Sequence, residues 1–266
     1  MKTKFQMPQA AGRIEKQPRR DFVIRHSSFD LRAFTLIELL TVIAIIGVLA
    51  AFTFSALGRI KRQQYIRNAT AEMELLETAI DRFKATYGFY PPDNPCDPRI
   101  NQLYFELLGT KIITNSGTLT YQSLDDPTIM IPETPTDFKN VFGTAASGNN
   151  CVSGFINCTR PGASEDVRPA QNFLTGLKLN QQSVYTNNVG NNTLPIKLII
   201  TAVGGPDITY KPLGTGAIGI NPWRYNSSNP TNNPGGYDLW VQLSISGRTN
   251  LICNWNKEVQ INAPLP

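Results

Sequence analysis

An α+β fold follows from three features of the 266-residue chain: a long apolar run near the N-terminus, a helical apolar stripe directly after it, and β-branched runs in the last third. The expected architecture is a long N-terminal helix, membrane-spanning in its first half and amphipathic in its second, packed on a small C-terminal antiparallel β-sheet. Charged residues make up only 17% of the chain and the formal charge is +5. That excess is local. Residues 1–33 hold eight Lys or Arg against Glu15, Asp21 and Asp30, so residues 34–266 sum to zero and nothing points to nucleic acid. The one histidine, His26, lies in the same basic stretch, which disposes of Ser-His-Asp and Cys-His catalysis in the rest of the chain. No catalytic residue is expected, and the enzyme class is set aside.

Residues 1–33 read as a basic leader. Arg19-Arg20 within it needs no twin-arginine signal to explain it, because no apolar stretch follows until Phe34. From Phe34 to Leu57 the chain runs FTLIELLTVIAIIGVLAAFTFSAL, with Glu38 its one charge. As a helix this is roughly 36 Å, enough for a hydrocarbon core of about 30 Å. A cleaved secretory signal would be shorter and end in a small-x-small site, so residues 34–57 are expected to be a single-pass anchor. The basic leader favours an N-terminus left in the cytoplasm. Residues 58–92 continue as an amphipathic extension and a turn. Ile66, Ala69, Met73, Leu76, Ile80, Phe83 and Tyr87 recur at steps of three and four, with Arg67, Glu74, Glu77, Asp81 and Lys84 off that stripe. Gly88 and Pro91-Pro92 end the helix.

Around the start of this helix the run Arg32-Ala33-Phe34-Thr35-Leu36-Ile37-Glu38-Leu39-Leu40 resembles the N-terminal signature of type IV pilins and type II secretion pseudopilins. The resemblance implies removal of the leader by a prepilin peptidase between Ala33 and Phe34, methylation of the new N-terminus on Phe34, and a role in assembly for Glu38, the fifth residue counted from Phe34. Ala33 stands where Gly is usual, and Ser55 where many relatives have Pro. A lone carboxylate inside an apolar helix needs a reason to be there.

Residues 93–195 are expected to be an irregular insertion with a short helix at 99–109, and 110–190 show no sustained periodicity. The C-terminal region, 196–266, carries strands at 196–203, 237–245 and 249–255. There Asn221-Pro222-Trp223-Arg224-Tyr225, Asn233-Pro234-Gly235-Gly236-Tyr237-Asp238-Leu239 and Asn254-Trp255 resemble runs of the major pseudopilin's sheet, as Phe89-Tyr90-Pro91 resembles its turn after the long helix. In that protein an acidic loop after the Tyr-Asp-Leu strand binds calcium. Here Ser244–Leu251 has no carboxylate, so no metal and no cofactor are expected. Trp223, Trp240 and Trp255 are read as core in preference to a glycan platform.

Cys96, Cys151, Cys158 and Cys253 all fall beyond the anchor, on the oxidising side of the membrane. Three connectivities are open to four cysteines, with four free thiols as the rival. The favoured pairs are Cys151–Cys158, closing a short loop, and Cys96–Cys253, tying the start of the globular part to its last strand. The resemblance implies a structural subunit of a periplasmic secretion filament in the inner membrane, with its C-terminal domain periplasmic. Its partners would be prepilin peptidase, further copies of itself, other pseudopilins and the secretion assembly platform. A surface type IV pilin is the alternative, and a membrane-anchored glycan-binding protein is the reading from another class.

Overall fold

The computed structural model describes residues 35–162, 168–187, 193–202, 210–214 and 216–263, without the side chains of 52–57. The chain divides into two compact units, Met1–Phe52 and Thr53–Pro266. The boundary falls inside the first helix, α1 (Leu36–Tyr87). In the first unit the described helix is apolar and exposed, from Leu36 at 81% accessibility through Ile37, Ile43 and Ile46 to Leu49. Among the described residues no helix is long and apolar enough to cross a membrane. The described side chains of this apolar stretch end at Ala51.

In the second unit the amphipathic stripe does what its spacing requires. Ala69, Met73, Leu76, Ile80 and Phe83 are buried in one continuous core, with Ile66 and Tyr87 packed at its edge. Burying a side chain such as Phe83 contributes about 2–3 kcal/mol. Gly88 ends the helix, its amide donating to Lys84 O at 2.8 Å and its φ of +87° open to glycine at little cost.

The short helix is α2 (Leu103–Leu108), buried along its whole length. Gly109 follows it at φ +86°, where a Cβ would meet Leu124, Ala170 and the carbonyl of Gln171 at 3.1–3.2 Å. Much of the stretch expected to be an irregular insertion forms strands and a helix that join the core. β1 (Thr110–Asn115), β2 (Thr118–Ser123), β3 (Met130–Pro132) and β4 (Cys158–Thr159) form one sheet in the order β3-β2-β1-β4, the β1–β4 pair being parallel. Between β3 and β4 lies α3 (Pro135–Phe142), started by Thr134, whose hydroxyl accepts from the Asp137 amide. Ile112, Tyr121, Ile131, Phe138, Val141 and Phe142 join the same core as the stripe of α1. Of these, β1, β2 and β3 contribute one each and α3 three, too few in a row to register as a sustained period.

β5 (Gln182–Thr186) and β6 (Pro195–Ile199) form a separate antiparallel pair, and β7 (Arg224–Asn226), β8 (Asp238–Ile245), β9 (Arg248–Cys253) and β10 (Asn256–Ile261) an antiparallel sheet in the order β10-β9-β8-β7. The strands expected at 196–203, 237–245 and 249–255 are β6, β8 and β9; β7 and β10 extend the sheet beyond them. Leu239, Val241, Leu243 and Ile245 of β8 share the core with the α1 stripe. The hairpins β1–β2 and β8–β9 turn on Ser116-Gly117 and Ser246-Gly247, all four residues at positive φ. That is the two-residue turn whose twist matches antiparallel strands.

Candidate assembly site at the start of the long helix

The first described residues make a closed hydrogen-bond box. Thr35 precedes the first turn of α1 and Glu38 is its third residue. The Glu38 carboxylate accepts from the Thr35 amide at 2.9 Å and from the Thr35 hydroxyl at 2.8 Å. The Glu38 amide donates back to the Thr35 Oγ1 at 3.3 Å. This is a capping box, in which two otherwise unpaired amides of a helix start are satisfied reciprocally. The spacing Thr-x-x-Glu before an apolar run is its sequence signature, so Thr35 was legible beside Glu38. Thr41 adds a hydroxyl bond to Glu38 O at 2.9 Å. Around and beyond this box Leu36, Ile37, Leu39 and Leu40 are each more than half exposed. A contiguous apolar surface of this kind marks a face that something else covers. Ala33 and Phe34, the expected cleavage and methylation sites, lie outside the described residues.

Residues 32–54 match the prokaryotic N-terminal methylation motif. This chain carries the type IV pilin and pseudopilin signature. No curated protein and no solved structure matches the chain. The motif implies processing by a prepilin peptidase and assembly with pilin-like subunits.

The cysteines correct the expected pairing. Cys96, just after the long helix, is bonded to Cys151, with 5.9 Å between their Cα atoms. Cys158 and Cys253 are free and buried. The reason is topological. Cys158 is placed on β4 beside Thr110 of β1, and Cys253 on β9 beside Trp240 of β8, so each thiol is fixed inside a sheet. Burial raises the pKa of both thiols.

Two carboxylates that the strand pattern did not single out organise the loop between β7 and β8. Asp238 accepts from the amides of Thr231, Asn232 and Asn233 at 2.8–2.9 Å and from the Asn232 side chain at 3.1 Å. Asp93, from the turn after α1, accepts from the Ser227 and Ser228 amides at 3.0 and 3.2 Å and from the Ser228 hydroxyl at 2.9 Å. Among the described residues no group of three His, Cys, Asp or Glu side chains is placed to hold a metal ion. Trp223 is buried in the main core, while Trp240 and Trp255 meet edge to face, 5.9 Å apart, in a small cluster with Leu251 and Cys253.

Proposed function

We propose that this protein is a pseudopilin, a structural subunit that enters the inner membrane through residues 34–57, is cut between Ala33 and Phe34, is methylated on Phe34, and polymerises into a periplasmic filament of a type II secretion system. The methylation motif at residues 32–54 carries the reading. The exposed apolar flank of α1 supports polymerisation through that helix, and the run from Pro234 to Leu239 supports the secretion branch over a surface fibre. Glu38 then pairs, within the filament, with the α-amino group that cleavage creates on Phe34 of a neighbouring copy. That pair neutralises a charge surrounded by apolar helices and fixes the axial register. N-terminal mass spectrometry of the membrane fraction tests the processing: the expected mature chain begins at methylated Phe34, and an intact residue 1–33 tail leaves a plain signal anchor. Electron microscopy of sheared surface material separates the two branches, since long extracellular fibres of this subunit identify a type IV pilin.

A further inference from the structure

We infer that the end of the second unit that follows residue 57 is a docking surface for anionic phospholipid headgroups, built from Arg59, Lys61, Arg62 and Arg248. The inference rests on the proposed span at residues 34–57 and adds a partner to it. Arg59, Lys61 and Arg62 follow that span in the same helix, α1. At about 1.5 Å per residue they stand roughly 3, 6 and 7.5 Å past Leu57. The headgroup layer on each side of a bilayer is itself roughly 5–7 Å deep. Residues 59–62 also make about one helical turn, so the three cations face different sides and form a ring. Arg59 and Lys61 are exposed and Arg62 is half-buried.

A distant part of the chain brings the fourth cation to the same end. Tyr237, which leads into β8, meets Tyr90 edge to face at 5.0 Å, and Tyr90 lies under the Lys84 ammonium at 3.9 Å. Further along, β8 pairs Leu243 with Asn250 of β9, and the Asn250 Oδ1 accepts from Arg62 Nε and Nη2 at 3.1 and 2.7 Å. β8 therefore runs against the direction of α1, towards residue 57. Past the Leu243–Asn250 pair the hairpin continues through Ser244–Thr249 and Ile245–Arg248, about 7 Å, before it turns at Ser246-Gly247. Arg248 is exposed beside that turn, beyond the level of Arg62. Ile261 of β10, opposite Asn250 and 49% exposed, adds an apolar side chain at the same end.

Charge identifies the occupant. Residues 58–71 and 244–257 contain no Asp or Glu. Among the described residues none of the four cations is ion-paired with a carboxylate. Cations just after a span, on its translocated side, oppose the charge rule that holds the basic leader in the cytoplasm, so their presence there calls for a counter-charge. An anionic leaflet supplies one to all four at once, at a distance where salt does not yet screen it.

The test uses the full chain in nanodiscs of phosphatidylcholine, or of equal parts phosphatidylcholine and phosphatidylglycerol, each carrying a nitroxide on a headgroup. A fluorophore on Ser246→Cys reports the hairpin turn, and one on Pro234→Cys, in the exposed loop before the other end of β8, is the control. The native cysteines are bonded or buried, so the introduced thiol alone takes the label. Quenching at position 246 is expected to be at least about threefold stronger with phosphatidylglycerol and to lose that excess at about 1 M salt, while position 234 stays unchanged. The triple variant R59Q/K61Q/R248Q should lose the excess as well, whereas R59K/R248K should keep it. The lipid and salt comparison stands without either variant. Equal quenching at position 246 in the two lipids, or an excess undiminished in the folded triple variant, overturns the docking surface and leaves the span intact. A chain that elutes apart from the discs overturns the span, and the docking surface with it.

Discussion

At the scale of single residues two carboxylates, the exposed Glu38 and the buried Glu106, decide most. Glu38 has two partners to satisfy in sequence: Thr35 of its own chain in the monomer, and in the proposed filament a neighbour's α-amino group. The two roles separate experimentally. A capping box accepts Gln in place of Glu, whereas a charge pair does not. Glu38→Gln is expected to insert normally yet assemble at least about tenfold less filament, while Thr35→Ala weakens the helix start by about 1 kcal/mol and leaves assembly largely intact. Filament yield after shearing measures both, and normal assembly of Glu38→Gln would show that capping alone explains the residue. Glu106 is the other case. It is fully buried on α2 and accepts from the Ile156 and Asn157 amides, each at 2.9 Å, with no cation among the described residues bonded to it. Burial pushes its pKa from 4.5 up to about 7, against the lowering effect of those two amides. Between these values the folded state binds more protons than the unfolded chain, so stability falls as pH rises through that window and the cost is fully present above it. The drop is on the order of 3 kcal/mol. Chemical denaturation at pH 5 and pH 8 should show it, and Glu106→Gln should flatten the difference.

Elements are held to one another by covalent and polar ties that strand and helix patterns do not encode. The Cys96–Cys151 bond joins the turn after α1 to the segment before β4, a loop of 55 residues. Closing a loop of that length stabilises by about 4 kcal/mol in the chain-entropy account. Alkylation resolves the pairing: the unreduced native protein should take no label, the unreduced denatured protein two, on Cys158 and Cys253, and the reduced denatured protein four. No label on the unreduced denatured protein would restore a second bond. The loop between β7 and β8 depends in the same way on Asp238, which holds three successive backbone amides. Replacing it by Asn leaves an amide group facing those donors, so Asp238→Asn should cost about 2 kcal/mol and lower the melting temperature. Calcium at millimolar concentration should not change the melting temperature of the wild type, because the Asp238 carboxylate is already engaged by its own loop. A calcium-dependent rise would show that the ion competes successfully for it.

For the whole molecule the consequence is that the second unit carries a complete core. The α1 stripe, α2, α3 and the strands of all three sheets meet in one apolar cluster. A fragment of residues 53–266 is therefore expected to be soluble and to unfold in one cooperative transition by circular dichroism. A fragment that aggregates or melts without cooperativity would show that the apolar start of α1 is needed for folding. The sequence by itself determined the local features of the long helix. A stripe at steps of three and four must bury one helical face, Glu38 must have a partner, and the motif at 32–54 follows from residue types at fixed local spacing. Strands β6, β8 and β9 were legible for the same reason, since β-branched runs bounded by turn residues are local signals. What only the tertiary structure decided is everything that depends on contacts distant in the chain. The sheet formed by β1–β4 buries its apolar residues singly, so no period announces it. The partner of Cys96 is chosen by which cysteine the fold brings within about 6 Å, and Cys158 and Cys253, expected to pair with Cys151 and Cys96, are instead fixed within sheets. Glu106 reads as an ordinary helix residue until α2 is buried.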